Sequence, residues 1–116
     1  MPKSTPVTDK TLIRRIRALA SEPHRIAVTR RALADMAARS LTKAGVCEAI
    51  CDYIDGSSPV DRSVTDTAAG HIGELVYQFY PTIEAEDLLV KVRIDESRSP
   101  PTLVLISVHE LHRSEP

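Results

Sequence analysis

Between Thr8 and Pro23 the apolar positions recur every three to four residues. Leu12, Ile13, Ile16, Leu19 and Ala20 fall on one face, with Arg14, Arg15 and Arg17 off it; this is the period of a helix that turns one stripe to a core. Thr8 is placed to cap its first turn and Pro23 to close it. "RIAVT" at 25–29 reads as a short strand. Thr29 then caps a second helix over roughly 30–40, with Leu33, Met36 and Ala37 inward. Thr42 opens a third helix with the stripe Val46, Cys47, Ile50 and Ile54, and "DGSSP" at 55–59 ends it.

The period then shortens to two. "GELVYQFYP" (73–81), "DLLVKVRID" (87–95) and "TLVLISVH" (102–109) alternate as strands do, joined by the hairpin-length connections "PTIEAE" and "ESRSPP". Helices first and a meander after them predict an α+β domain: three N-terminal helices packed on one face of a small C-terminal antiparallel sheet. The polar ends, residues 1–8 and 113–116, are expected to be loose, leaving a single domain over 9–112.

Register decides what the sheet presents. Opposed residues of an antiparallel pair have numbers with a constant sum. An even sum for the last two strands sets Val90, Val92 and Ile94 with Val104, Ile106 and Val108 against the helices. Leu89, Lys91 and Arg93 then share the other face with Leu103, Leu105, Ser107 and His109. An odd sum mixes charge with branched apolar groups on both faces, and burying Lys91 and Arg93 without partners is costly. The even sum is therefore expected, and Lys91, Arg93, Ser107 and His109 become a polar, cleft-lining set.

Composition narrows the classes. With three Tyr, one Phe and no Trp, the core must be aliphatic, which speaks against the aromatic sheets that stack single-stranded RNA bases. The net charge of −1 hides an asymmetry: residues 1–45 carry ten Lys or Arg against three acids, and residues 46–116 five against thirteen. A basic half suits an anionic partner, nucleic acid or acidic protein, and equally an attraction between the two halves. No stretch approaches the ~18 apolar residues of a membrane span. "MPKSTPVTDK" has no apolar centre of the kind a secretory signal needs. A reduced, cytoplasmic protein is the expectation. Cys47 and Cys51 sit one helical turn apart and read as buried thiols, since a zinc site wants four ligands. "HELH" at 109–112 lacks zinc-protease spacing, and no phosphate-binding glycine loop or dinucleotide fingerprint occurs. No cofactor or metal is expected.

The run "SPVDRSVTD", "GELVYQFYP", "DLLVKVRID", "LVLISVHEL" resembles the MqsR family of toxins, the messenger-RNA-cleaving halves of toxin–antitoxin pairs within the RelE-like ribonuclease fold. The resemblance spans roughly residues 9–111. Arg62 stands where that family has lysine, and Ser63 matches its serine. Tyr77 matches a tyrosine, Lys91 a lysine, and Ser107 and His109 the C-terminal serine and its basic neighbour. Glu74 replaces a glutamine and Leu89 a tyrosine. The resemblance implies a metal-independent endoribonuclease, with a cognate antitoxin and single-stranded messenger RNA as partners. In such chemistry a base takes the 2′-OH proton, an acid protonates the leaving 5′-oxygen, and cations hold the phosphate. Arg62, Glu74, Lys91 and His109 are the catalytic candidates. Tyr77, Arg93, Ser107, Arg14 and Arg15 are the candidates for holding RNA. Two alternatives stay open: a catalytically weakened relative whose sheet face binds protein, motivated by Leu89 and Glu74, and a regulator that binds nucleic acid through the basic half.

Overall fold

The computed structural model describes residues 4–64 and 75–111. Each helix begins where a short polar side chain can satisfy free amides. Asp9, rather than the expected Thr8, caps α1 (Lys10–Ala20), its Oδ1 accepting from the N–H groups of Thr11 at 2.9 Å and Leu12 at 3.3 Å; a carboxylate reaches two amides and suits the positive end of the helix dipole. Thr29 caps α2 (Arg30–Ala38) and Thr42 caps α3 (Lys43–Asp55), as their positions predict. Pro23 does not simply end α1: it opens a 3-10 turn over Pro23–Arg25. In α2 the inward residues are Ala32 and Met36, while Leu33, expected inside, is 58% exposed.

The strands are β1 (Thr5–Pro6), β2 (Ala27–Val28), β3 (Asp61–Val64), β4 (Leu75–Phe79), β5 (Thr82–Ile83), β6 (Glu86–Asp95) and β7 (Thr102–Glu110). They form a seven-stranded sheet in the order β1-β3-β4-β6-β7-β2, with β5 paired onto β6. This overturns the small antiparallel sheet expected from the sequence. The sheet is mixed, because β2 from within the helical half runs parallel to β7, Ala27 opposite Val104 and Val28 opposite Leu105. The meander is also extended on its far side by β3 and β1. Residues 5–7, expected to be loose, pair there: Thr5 lies opposite Arg62, and the Val7 N–H donates to the Val60 carbonyl at 2.8 Å. A two-residue strand such as β1 is too short to show a period, which is why alternation could not reveal it.

One face of the sheet is covered by helices. Ile16 and Ala20 of α1, and Val46, Cys47, Ile50 and Cys51 of α3, pack on Phe79, Leu88, Val90, Val92, Leu103, Leu105 and Val108. No helix among the described residues is long and apolar enough to cross a membrane. Both thiols are free and buried. Burial, ahead of the neighbouring Cys51, raises the Cys47 thiol from about 9 to about 11. A folded-state value above the unfolded one favours the native state at low pH and ceases to as the thiolate forms. Stability is therefore expected to hold below pH 9 and fall between about 9 and 11. Urea titrations of the native protein and a Cys47→Ala variant check it: the variant should show a shallower fall over that window.

The edge of β7 beyond β2 is closed by α2. The Thr29 hydroxyl donates to the Ile106 carbonyl at 2.7 Å, and Asp35 Oδ2 accepts from the Val108 N–H at 3.0 Å. A helix thus takes hydrogen bonds that a neighbouring strand would otherwise make, which blunts an aggregation-prone edge. Asp35→Ala leaves that partly buried amide without its acceptor and is expected to cost about 1–2 kcal/mol, read as a lower urea midpoint with an unchanged slope. Asp35→Asn, which keeps an acceptor, should lose less.

Candidate functional site on the open face of the sheet

β6 and β7 do not keep one register. Leu89 lies opposite His109, Val90 opposite Val108 and Lys91 opposite Ser107, the even sum expected. After Lys91 the pairing slips to Val92–Leu105, Arg93–Val104 and Ile94–Leu103. One residue of β7, Ile106, is left over between the two registers, as in a β-bulge. The slip corrects the expected faces. Leu103 and Leu105, placed outside by a uniform even sum, are wholly buried on the helix side, whereas Val104 passes to the other face beside Arg93. The bulge thereby resolves a conflict in the pattern. Lys91 and His109 keep to the open face while Leu103 and Leu105 turn inward, an arrangement that no single register allows.

Pairing across the remaining strands builds the open face row by row. Asp61 of β3, Gln78 of β4, Lys91 of β6 and Ser107 of β7 lie opposite one another in sequence, one polar residue per strand. Next to that row, Ser63 of β3 lies opposite Val76 of β4, and Arg93 of β6 opposite Val104 of β7. On the other side of Lys91, Leu89 and His109 form a further pair. Lys91, Leu89, Arg93 and His109 are partly exposed, whereas Ser107 is buried. The His109 ring Nδ1 stands 3.1 Å from the Glu110 carbonyl.

Sequence reasoning passed over Asp61, Gln78 and Tyr80. The Gln78 amide donates to Ser63 Oγ at 3.2 Å, and the Tyr80 hydroxyl stands 2.5 Å from Asp61 Oδ2 and 3.2 Å from Gln78 Oε1. Burial first, and the Asp61 carboxylate after it, hold the Tyr80 hydroxyl well above the ordinary phenol range, so it stays protonated and donates to Asp61. The signal for Gln78 and Tyr80 was present in "LVYQFY", where they alternate with Tyr77 and Phe79. That for Asp61 was not, since β3 went unrecognised.

Other candidates lie elsewhere. Arg62 is opposite Tyr77, and Tyr77 opposite Val92, which puts both on the helix side of the sheet and away from Lys91 and His109. Tyr77 is 5% exposed and belongs to the core; burial pushes its hydroxyl up, opposed by Arg62 and Arg15. Arg15 makes two hydrogen bonds to Glu96, at 2.6 and 2.7 Å. Arg17 does the same with Asp55, and Arg39 lies 3.3 Å from Glu86. The basic half therefore commits part of its charge to the acidic half. Arg14 is exposed. Glu74, with His71 and His112, lies outside the described residues. No known family, curated protein or solved structure matches the chain.

Proposed function

We propose that the open face binds single-stranded RNA and cuts it without a metal, as the toxin of a toxin–antitoxin pair whose antitoxin restrains it. One observation carries the reading: Lys91 and His109 stand on the same face one row apart, in the even register that β6 and β7 keep on their side of the bulge. That pair supplies the minimum the reaction needs. The 2′-oxygen loses its proton and bonds to the adjacent phosphorus, while the bond from phosphorus to the 5′-oxygen breaks. His109 is the group able to accept the first proton and return one to the leaving oxygen. Lys91 places a positive charge beside the phosphate as its charge grows. Arg93, one row on, extends the phosphate track. The products are a 2′,3′-cyclic phosphate and a free 5′-hydroxyl.

A second reading, binding without cleavage, is favoured by Leu89. It stands directly opposite His109 and next to Lys91 in the row structure, and it offers no hydroxyl to share the acid–base work. The experiment that separates the readings incubates purified protein with unstructured RNA in the presence of chelator and identifies the ends. New cyclic-phosphate ends support the ribonuclease. Retarded but intact RNA, from protein with native circular dichroism, supports the binder.

A further inference from the structure

The candidates that leave the open face gather around a groove on the helix side. Leu12 and Arg15 of α1 form one wall, and Leu75 and Tyr77 of β4 with Ile94 and Glu96 near the end of β6 form the other. Arg62 stands beside it as the cross-strand neighbour of Tyr77. The groove combines two kinds of surface. Leu75 is 41% exposed, and Leu12 and Ile94 are half-buried around it. Above this apolar floor the Arg15 guanidinium is held by Glu96 through both carboxylate oxygens, although the two side chains are 41% and 61% exposed. Asp95, which also borders the groove, is otherwise engaged: its carboxylate accepts from the Ser97 N–H and hydroxyl and from Arg98.

We propose that this groove docks an acidic segment of a partner protein that carries aliphatic side chains, a glutamate or aspartate of that segment replacing Glu96 in the fork of Arg15. The fit is stereochemical as well as electrostatic. Glu96 shows that a carboxylate can approach the planar fork with both oxygens, the geometry for which arginine is suited. It is held by a surface pair of the kind worth little in water, so an incoming carboxylate displaces it at small cost. The exposed leucine gives the segment's aliphatic side chains something to cover, as the apolar centre of a protein interface does. RNA fits less well: the aromatic ring at the site, Tyr77, is buried and presents no face for a base to stack on. The inference is separated from the ribonuclease reading by residues the two do not share: Lys91 and His109 do not border the groove, although Arg93 of the phosphate track does.

The test uses a fluorescein-labelled peptide alternating glutamate with leucine, its glutamine counterpart, and an oligouridylate of similar length, each titrated by anisotropy with the full chain. The acidic peptide should bind at least about tenfold tighter than the glutamine peptide. Glu96→Gln, which frees the fork, should tighten it by about threefold and leave any RNA cleavage unchanged. Arg15→Ala should weaken it about tenfold, and Arg15→Lys, which keeps the charge and loses the fork, nearly as much. Equal binding of the two peptides, or indifference to Glu96→Gln, overturns the proposal. So does an oligouridylate whose affinity rises with Glu96→Gln as the peptide's does, which makes the groove a phosphate site. Loss of cleavage activity leaves this binding untouched, so the two proposals fail separately.

Discussion

Phe79→Ala is expected to remove about 3–5 kcal/mol of stability and to lower the melting temperature by roughly 10–20 °C. Phe79 is the one phenylalanine in the chain and is wholly buried at the centre of the sheet, opposite Val90. Its ring meets Tyr53 of α3 edge to face, 5.8 Å between centroids and 81° between planes. Truncation therefore loses transfer free energy, leaves a cavity among stiff, branched neighbours, and breaks an aromatic pair that ties α3 to β4. Against the 5–15 kcal/mol typical of a domain this size, a loss near the upper end leaves little margin. Thermal unfolding followed by far-ultraviolet circular dichroism measures it. Phe79→Leu, which fills most of the space, should recover more than half.

The second large effect concerns chemistry. His109→Ala should reduce RNA cleavage by about 10²–10⁴-fold, the range for losing a general acid–base group, while RNA affinity changes by no more than a few-fold. The reason is position: His109 is partly exposed near the end of β7, and its neighbours across the strands are Leu89 and, one row away, Lys91. Leu89 has no group that could take over the proton transfer. The binding of RNA rests on the cations, so affinity and cleavage should separate. Filter binding and product analysis on the same RNA measure the two quantities independently. Unimpaired cleavage by His109→Ala would hand the acid–base role to another group.

What could be read from the chain follows from the length and regularity of each element. The three helices were legible because their stripes recur over nine residues or more and because Thr29 and Thr42 are strong cap signals. β4, β6 and β7 were legible from alternation. Of the others, β2 falls within the short strand read at 25–29, but β1 and β5 have two residues each and gave no signal, and the parallel pairing of β2 with β7 is a tertiary choice that brings Ala27 and Val28 beside residues 104 and 105. The bulge was hidden for a related reason. "TLVLISVH" is apolar at almost every position, so the sequence allowed either register. Two requirements conflicted, polar groups together outside and leucines inside, and an extra residue met both. The same slip explains why part of the candidate site was readable. Lys91, Ser107 and His109 lie on the near side of the bulge, where the simple register holds. Arg62 and Tyr77 were grouped with them by resemblance, but alternation along β3 and β4 turns both toward the helices.

The measurement that bears most directly on the account compares Lys91→Ala with Arg62→Ala in one RNA-cleavage assay, each variant first shown to melt like the parent protein. If the open face is the working surface, Lys91→Ala lowers the cleavage rate by about 10²-fold or more, and Arg62→Ala changes it by less than about threefold. Equal and severe losses in both, with the fold intact, would contradict it: the reaction would then draw on the two sides of the sheet that the strand pairing keeps apart.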